Sequence, residues 1–215
     1  MTATLQYLGR TLCILAVILG LTPQLAKGQA YCSLRDPNRI IQEIFPEATG
    51  FRSFLRKVTP KHTEILKSEL PIDFDSREFT THTLYAVHQS GRILGYVQSR
   101  TEEADWGLAE IIWVLDADLK LSTFRFQRCR SRWQSQVEGE SLQAALRGRS
   151  ELNLQQIRAT QGTSALVKEL GLPSQSEKLV GAVIESGLKA LGLARVVWGE
   201  DIKSIRESFS QATQP

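Results

Sequence analysis

Residues that announce chemistry are scarce in this chain. Its 215 residues include three cysteines, three histidines and one methionine. His62, His82 and His88 are scattered, and there is no CxxC or CxxCH, so a structural zinc and a c-type haem have no support. GxGxxG and P-loop patterns are absent. His82 and His88 stand on one expected strand with no GxSxG near them, so no hydrolase triad emerges. The acidic pairs Glu102-Glu103 and Asp116/Asp118 fall in expected turns, where solvated charge is the ordinary explanation. Repeats and low-complexity tracts are also missing. These absences leave export, fold and ligand binding as the questions the sequence can address.

Only one long apolar run exists, "TLCILAVILGLTP", between Arg10 and Lys27. It is too short to span a bilayer comfortably. Gly28 and Ala30 place small residues at the minus-three and minus-one positions of a cleavage site. The segment reads as a secretory signal over residues 1–30, cut after Ala30, which implies a periplasmic protein. An uncleaved N-terminal anchor is the rival reading, and in that case alone would the chain touch a membrane. Tyr31 before Cys32 argues against a lipoprotein. Without Arg10 and Lys27 the basic count falls from 26 to 24 against 23 acidic residues, so charge gives no case for nucleic acid.

Cleavage also removes Cys13. Cys32 and Cys129 remain, an even pair that in an oxidising compartment predicts a disulfide across a long loop. The stretch "FQRCRSRWQ" admits a second reading of Cys129, as a thiol activated by Arg128 and Arg130.

Secondary-structure signals divide the rest. Asp36-Pro37 and Thr59-Pro60 start helices, with Ile40, Ile41, Ile44 and Phe45 as one apolar stripe and Ile65, Leu66 and Leu70 as another. "GFRSFLRKVT" between them reads as a strand. "THTLYAVHQSGRILGYVQSR" reads as a hairpin turning at Gln89-Ser90-Gly91. Two more strands flank a turn at Asp116 to Asp118. Leu119 and Leu121 are odd-numbered while Phe124 and Phe126 are even, so a β-bulge near Ser122-Thr123 is needed to keep one inward face. Weak helical periodicity covers Trp133 to Leu146, and a short helix covers Thr163 to Leu170. The clearest helix runs from Glu177 to Leu191, with Leu179, Val180, Val183, Ile184, Leu188 and Leu191 on one face and a Ser174-x-x-Glu177 capping box. The expected architecture is α+β: a central antiparallel sheet with helices at both ends of the chain, one domain over residues 31–199, and a polar tail over 200–215 that frays.

Three places admit a ligand, each beside a structural reading. Arg125, Arg128, Arg130 and Arg132 either hold an anion or form a solvated basic edge. Trp106-Gly107 either offers an aromatic face and an open backbone to a planar ligand or buries a core tryptophan after a turn. Ser174 and Ser176, at a helix start, either meet a phosphate or cap the helix.

In order, "IFPEATGF", "GRILGYV", the strands around "DADLK", "LQAALRGRS" and the last amphipathic helix resemble the FMN-binding domain of exported electron-transfer proteins. That family includes flavin-carrying components of the Rnf complex and of the sodium-pumping quinone reductase, and the periplasmic part of the nitrous-oxide regulators. The resemblance implies a periplasmic α+β domain carrying FMN, with a redox partner protein. Members often esterify the flavin phosphate to the threonine of an S-G-A-T motif before the last helix. This chain has "LPSQSEK" there, with Ser174 in the threonine's slot, and Thr163 of "TQGTSA" as a looser echo. The resemblance therefore implies non-covalent FMN, with Trp106 and Gly107 at the ring and Arg128, Arg130 and Ser174 at the phosphate. The alternative is a cofactor-free secreted interaction or assembly module on the same fold.

Overall fold

The computed structural model describes residues 31–212. The expected signal segment and its cleavage site lie outside the described residues. The core element is a five-stranded antiparallel meander in the order β1-β2-β3-β4-β5. Its strands are β1 (Gly50–Lys57), β2 (Thr81–Gln89), β3 (Arg92–Ala104), β4 (Gly107–Asp116) and β5 (Leu121–Arg128). The helices are α1 (Pro37–Ile44), α2 (Pro60–Glu69), α3 (Gln134–Val137), α4 (Glu140–Leu146), α5 (Glu151–Gln156), α6 (Gly162–Glu169) and α7 (Glu177–Ala212). The chain is thus α+β.

The turns follow from local chemistry. Ser90 and Gly91 both take positive φ, 47° and 84°, which is the twist-matched geometry of a two-residue hairpin. Between β4 and β5, Asp116 Oδ1 accepts from the N–H groups of Asp118 and Lys120, each at 2.9 Å, while Leu119 takes a φ of 60°. The bulge expected from the apolar phase is present. Val114 pairs with Thr123 and Leu115 with Leu121, so Ser122 is the extra residue, and Leu121 and Phe124 are both buried.

Two layers cover the sheet. On one face α7 lies against β3 above all. Leu179, Val180, Val183, Ile184, Leu188 and Leu191 are all buried there, in one cluster with Tyr96, Trp113 and Phe124. Burial of each such aliphatic side chain contributes about 1.5–3 kcal/mol. The opposite face is covered by α1, whose Ile40 and Ile41 pack on Val87, Val97, Ile112 and Val114.

Four details depart from the pattern expected of the sequence. The last helix does not stop near Leu191: it continues to Ala212, because Trp198, Ile202 and Ile205 keep the buried stripe in phase through the polar tail. Ile65 is 40% exposed, and Thr63 takes the buried position beside Leu66. The Trp133 to Leu146 segment breaks at Gly139 into α3 and α4. The Ser174–Glu177 box is not formed. Ser174 opens a short 3₁₀ turn instead, and Glu177 accepts from Ser164 Oγ.

Two glycines in contrasting surroundings test this packing. A Cβ at Gly95 would stand 2.5 Å from the backbone oxygen of Leu115 and 3.1 Å from Phe45, whereas one at Gly199, inside α7, would meet nothing within 4 Å. Gly95→Ala is expected to destabilise the chain by about 1–3 kcal/mol. Gly199→Ala is expected to stabilise it by about 0.5–1 kcal/mol. Urea unfolding midpoints of the two variants would show opposite shifts.

Candidate functional site

The β3–β4 turn gathers several of the expected ligand residues at one end of the sheet. Asp105 and Trp106 form a two-residue turn without positive φ, and Gly107, which pairs with Ala104, takes a φ of 97°. Trp106 is 62% exposed, so it is not a core tryptophan. A side chain at Gly107 would meet nothing within 4 Å, so the backbone there is open to approach. The loop after β5 is fastened to this turn by Ser131 Oγ, which donates to Asp105 Oδ2 at 2.9 Å. From the other side, Lys178 in the first turn of α7 pairs with Glu103 at 3.1 Å.

The arginines do not act as a cluster. Arg125 pairs with Glu43 of α1 at 3.8 Å, and Arg128 Nε pairs with Glu110 at 3.1 Å, both on the face covered by α1. Glu110 also takes Arg35 at 2.8 Å and Gln127 Nε2 at 2.9 Å, which seats residues 33–35 across the sheet. Arg132 lies over the Trp133 ring, 4.6 Å from its centroid. Arg130 and Arg132 are the exposed members of the set beside the β3–β4 turn.

Ser174 and Thr163 belong to a different place. Ser174 lines a cavity of about 440 Å³ with Ser164, Val167, Lys168, Gly171, Leu172 and Glu177, and none of Trp106, Gly107, Arg128 or Arg130 lines it. Thr163 packs over Gly181, one turn further along α7. The phosphate contacts expected of Arg128 and Ser174 therefore do not converge on one group.

Cys32 and Cys129 are both free thiols, not joined. Cys32 is buried beside Thr101, whose Oγ1 accepts from its backbone N–H at 3.0 Å. Cys129 packs against the α7-side core. Burial first, then the carboxylates of Asp105 and Glu138, push its thiol up, so Arg128 and Arg130 do not create a thiolate.

A feature the sequence reading missed lies beneath β3. Arg100 and Glu78, both without exposed surface, form an ion pair. Lys189 Nζ of α7 reaches Glu78 Oε1 at 2.9 Å and Glu102 Oε2 at 2.8 Å, over the ring of Phe74. The centre is thus two cations against two carboxylates. Arg100 Nε and Nη1, Glu102 Oε1 and His82 Nδ1 are buried with no protein partner among the described residues. Burial pushes the Glu102 carboxyl up, with Lys189 opposing it. The centre is closed at the N-terminal side by Tyr31, whose hydroxyl donates to Thr101 O at 3.2 Å and whose ring sits under Arg77. Alternation along β3 was the available signal: Arg100 and Glu102 share the face of Tyr96 and Gln98. Among the described residues no group of three or more His, Cys, Asp or Glu is arranged to hold a metal. The chain matches no family model and no curated protein.

The buried centre makes two predictions. Lys189→Met leaves two buried carboxylates against one arginine and is expected to cost about 3–5 kcal/mol. Adding Glu102→Gln to that variant should restore at least half of the loss, as a double-mutant cycle by urea unfolding would show. His82 supplies the second. Its Nε2–H donates to Glu78 O at 2.7 Å, and burial pushes its pKa down to about 4. The unfolded chain protonates the same ring near pH 6.5, so the stabilisation is complete above that pH and is lost as pH falls from about 6.5 to about 4, by up to about 3 kcal/mol. Glu102 acts with the opposite sign in acid, so the readout is the difference between wild type and His82→Gln. The variant should lack that part of the acid slope.

Proposed function

We propose that this chain is an exported, periplasmic binding domain whose working end is the β3–β4 turn, and that its ligand is a planar anion of the flavin mononucleotide class held without a covalent bond. The observation that carries this reading is the exposed face of Trp106 beside the open backbone of Gly107, with Arg130 and Arg132 exposed in the loop that Ser131 ties to the same turn. An aromatic face stacks on a planar ring, and guanidinium groups match phosphate oxygens. The fit is partial. The ring contact suits FMN, whereas Arg128 is occupied by Glu110 and Ser174 lines a separate cavity, so Arg130 and Arg132 are the phosphate ligands of this reading. FMN would supply the electron chemistry when bound, in a redox-accessory role toward a partner protein. This chain's residues would stack, neutralise and orient.

Two observations favour the second reading, a cofactor-free interaction or assembly module. The α7 side of the sheet is filled by its own side chains, and the expected phosphate ligands are dispersed. A single experiment separates the two. The chain is produced in a periplasm together with a flavin transferase, and its absorbance is recorded before and after denaturation. The flavin reading expects a yellow protein that releases its colour on unfolding. It also expects quenching of tryptophan fluorescence on adding FMN to stripped protein, and at least about tenfold weaker binding in Trp106→Ala, equivalent to about 1.4 kcal/mol. A colourless protein that ignores added FMN supports the second reading. Colour that stays with the unfolded chain would overturn the non-covalent assignment, and Ser174→Ala against Thr163→Ala would locate the bond.

A further inference from the structure

The two edges of the sheet are treated differently. The outer edge of β5 is closed by the chain itself. Leu121 N–H donates to Arg149 O at 2.9 Å, and Gly148 N–H donates to Leu121 O at 2.7 Å. Further along, Gln143 of α4 receives Phe124 N–H at 3.2 Å and donates to Phe124 O at 2.7 Å. β1, at the other end of the order, has no strand on its outer side among the described residues.

Its hydrogen-bonding groups can be assigned. Val58 N–H donates to Thr80 O at 2.9 Å, continuing the register in which Lys57 opposes Thr81. Antiparallel pairs alternate between bonded and non-bonded. Even-numbered residues of β1 therefore bond to β2, and Phe51, Ser53, Leu55 and Lys57 direct their N–H and C=O groups outward. The two faces of the strand also differ. Phe51 packs edge-on against Tyr85 on the α1 face, and Leu55 is 57% exposed on that same face. Arg52 and Arg56 lie on the α7 face, over Phe209 and against Asp201. The strand "GFRSFLRK" has three basic residues and no acid, and neither Arg52 nor Lys57 has an ion-pair partner among the described residues.

We propose that β1 is a docking edge for an extended segment of a partner protein that alternates acidic and aliphatic residues. Main-chain bonds to the outward groups would add it as a sixth strand. Its acids would lie beside Arg52 and Arg56, and its aliphatic side chains would cover Phe51 and Leu55. A second copy of β1 is disfavoured, because it would set arginines and lysines against one another. The proposal does not depend on the flavin reading, since β1 and the β3–β4 turn are separate places on the sheet.

The test uses the purified chain and two short synthetic peptides, one alternating glutamate with valine and the other lysine with valine. The acidic peptide is expected to slow amide exchange at Ser53 and Leu55 at least about tenfold more than the basic one. Ser53→Pro removes an outward N–H, not one bonded to β2, and should abolish that protection. If it also unfolds the chain, Arg52→Glu with Arg56→Glu serves instead and should reverse the preference between the peptides. Equal protection by both peptides, protection by neither, or slow exchange arising from self-association without peptide would each overturn the proposal.

Discussion

The placement of α7 along β3 is the constraint from which most of the molecule follows. An apolar helix on an apolar sheet face can slide or rotate at small cost, because hydrophobic burial is non-directional. Here three polar contacts pin it. Trp113 Nε1 donates to Ser186 Oγ at 2.8 Å, Lys189 reaches Glu78 and Glu102, and Gln98 Nε2 donates to Ala190 O at 2.8 Å. All lie within five residues of the helix, in the middle of the buried stripe. Buried polar pairs of this kind contribute register more than net stability. Close approach completes the fit: a Cβ at Gly187 would stand 3.0 Å from the Trp113 ring, and one at Gly192 would stand 2.8 Å from Leu66.

The ion centre also organises chain whose only regular element is the short 3₁₀ turn Ser76–Glu78. Asp75 N–H donates to Glu78 Oε1 at 3.0 Å, and His82 bonds to Glu78 O, so the segment between α2 and β2 is folded around one buried carboxylate. β3 runs beyond the point where β2 stops pairing with it, Tyr85 opposite Val97. Residues 31–35 cross the sheet beside that extension, from Thr101 to Glu110 and Gln127. The same crossing occupies Glu110 and Gln127, and Glu110 in turn holds Arg128. Arg128 is thereby committed to holding residues 33–35 in place, which is why it is not available at the β3–β4 turn.

What could be read from the sequence is what depends on neighbours along the chain. The hairpins, the caps at Asp36 and Thr59 and the buried face of α7 are local patterns. The bulge at Ser122 was legible because a phase change between Leu121 and Phe124 has only one geometric remedy in a strand with one buried side. Partnerships across the fold were not legible. Glu78, Arg100, Glu102 and Lys189 look like solvated charges until three distant segments meet. Ser174 and Glu177 have the spacing of a capping box, but Ser164 from the preceding helix captures the carboxylate. The extension of α7 was hidden because its apolar residues, Trp198, Ile202 and Ile205, recur too sparsely among charges to stand out. The thiolate reading of Cys129 treats sequence neighbours as spatial neighbours, whereas burial, with Asp105 and Glu138, sets the environment of its thiol.

Charge distribution then limits where an anion can bind. The buried centre has two positive and two negative groups at close range, so it projects little field beyond itself. Arg125 and Arg128 are likewise paired with carboxylates. An anion bound at the β3–β4 turn, as proposed, would gain nothing from the sheet interior and would take its counter-charge from the exposed loop, at Arg130 and Arg132. Solvent weakens such contacts, so affinity at that end would rest on the area that Trp106 covers rather than on charge. At β1 the balance is reversed. There the outward backbone groups supply direction, and the excess of arginine and lysine on one strand selects the sign of the partner.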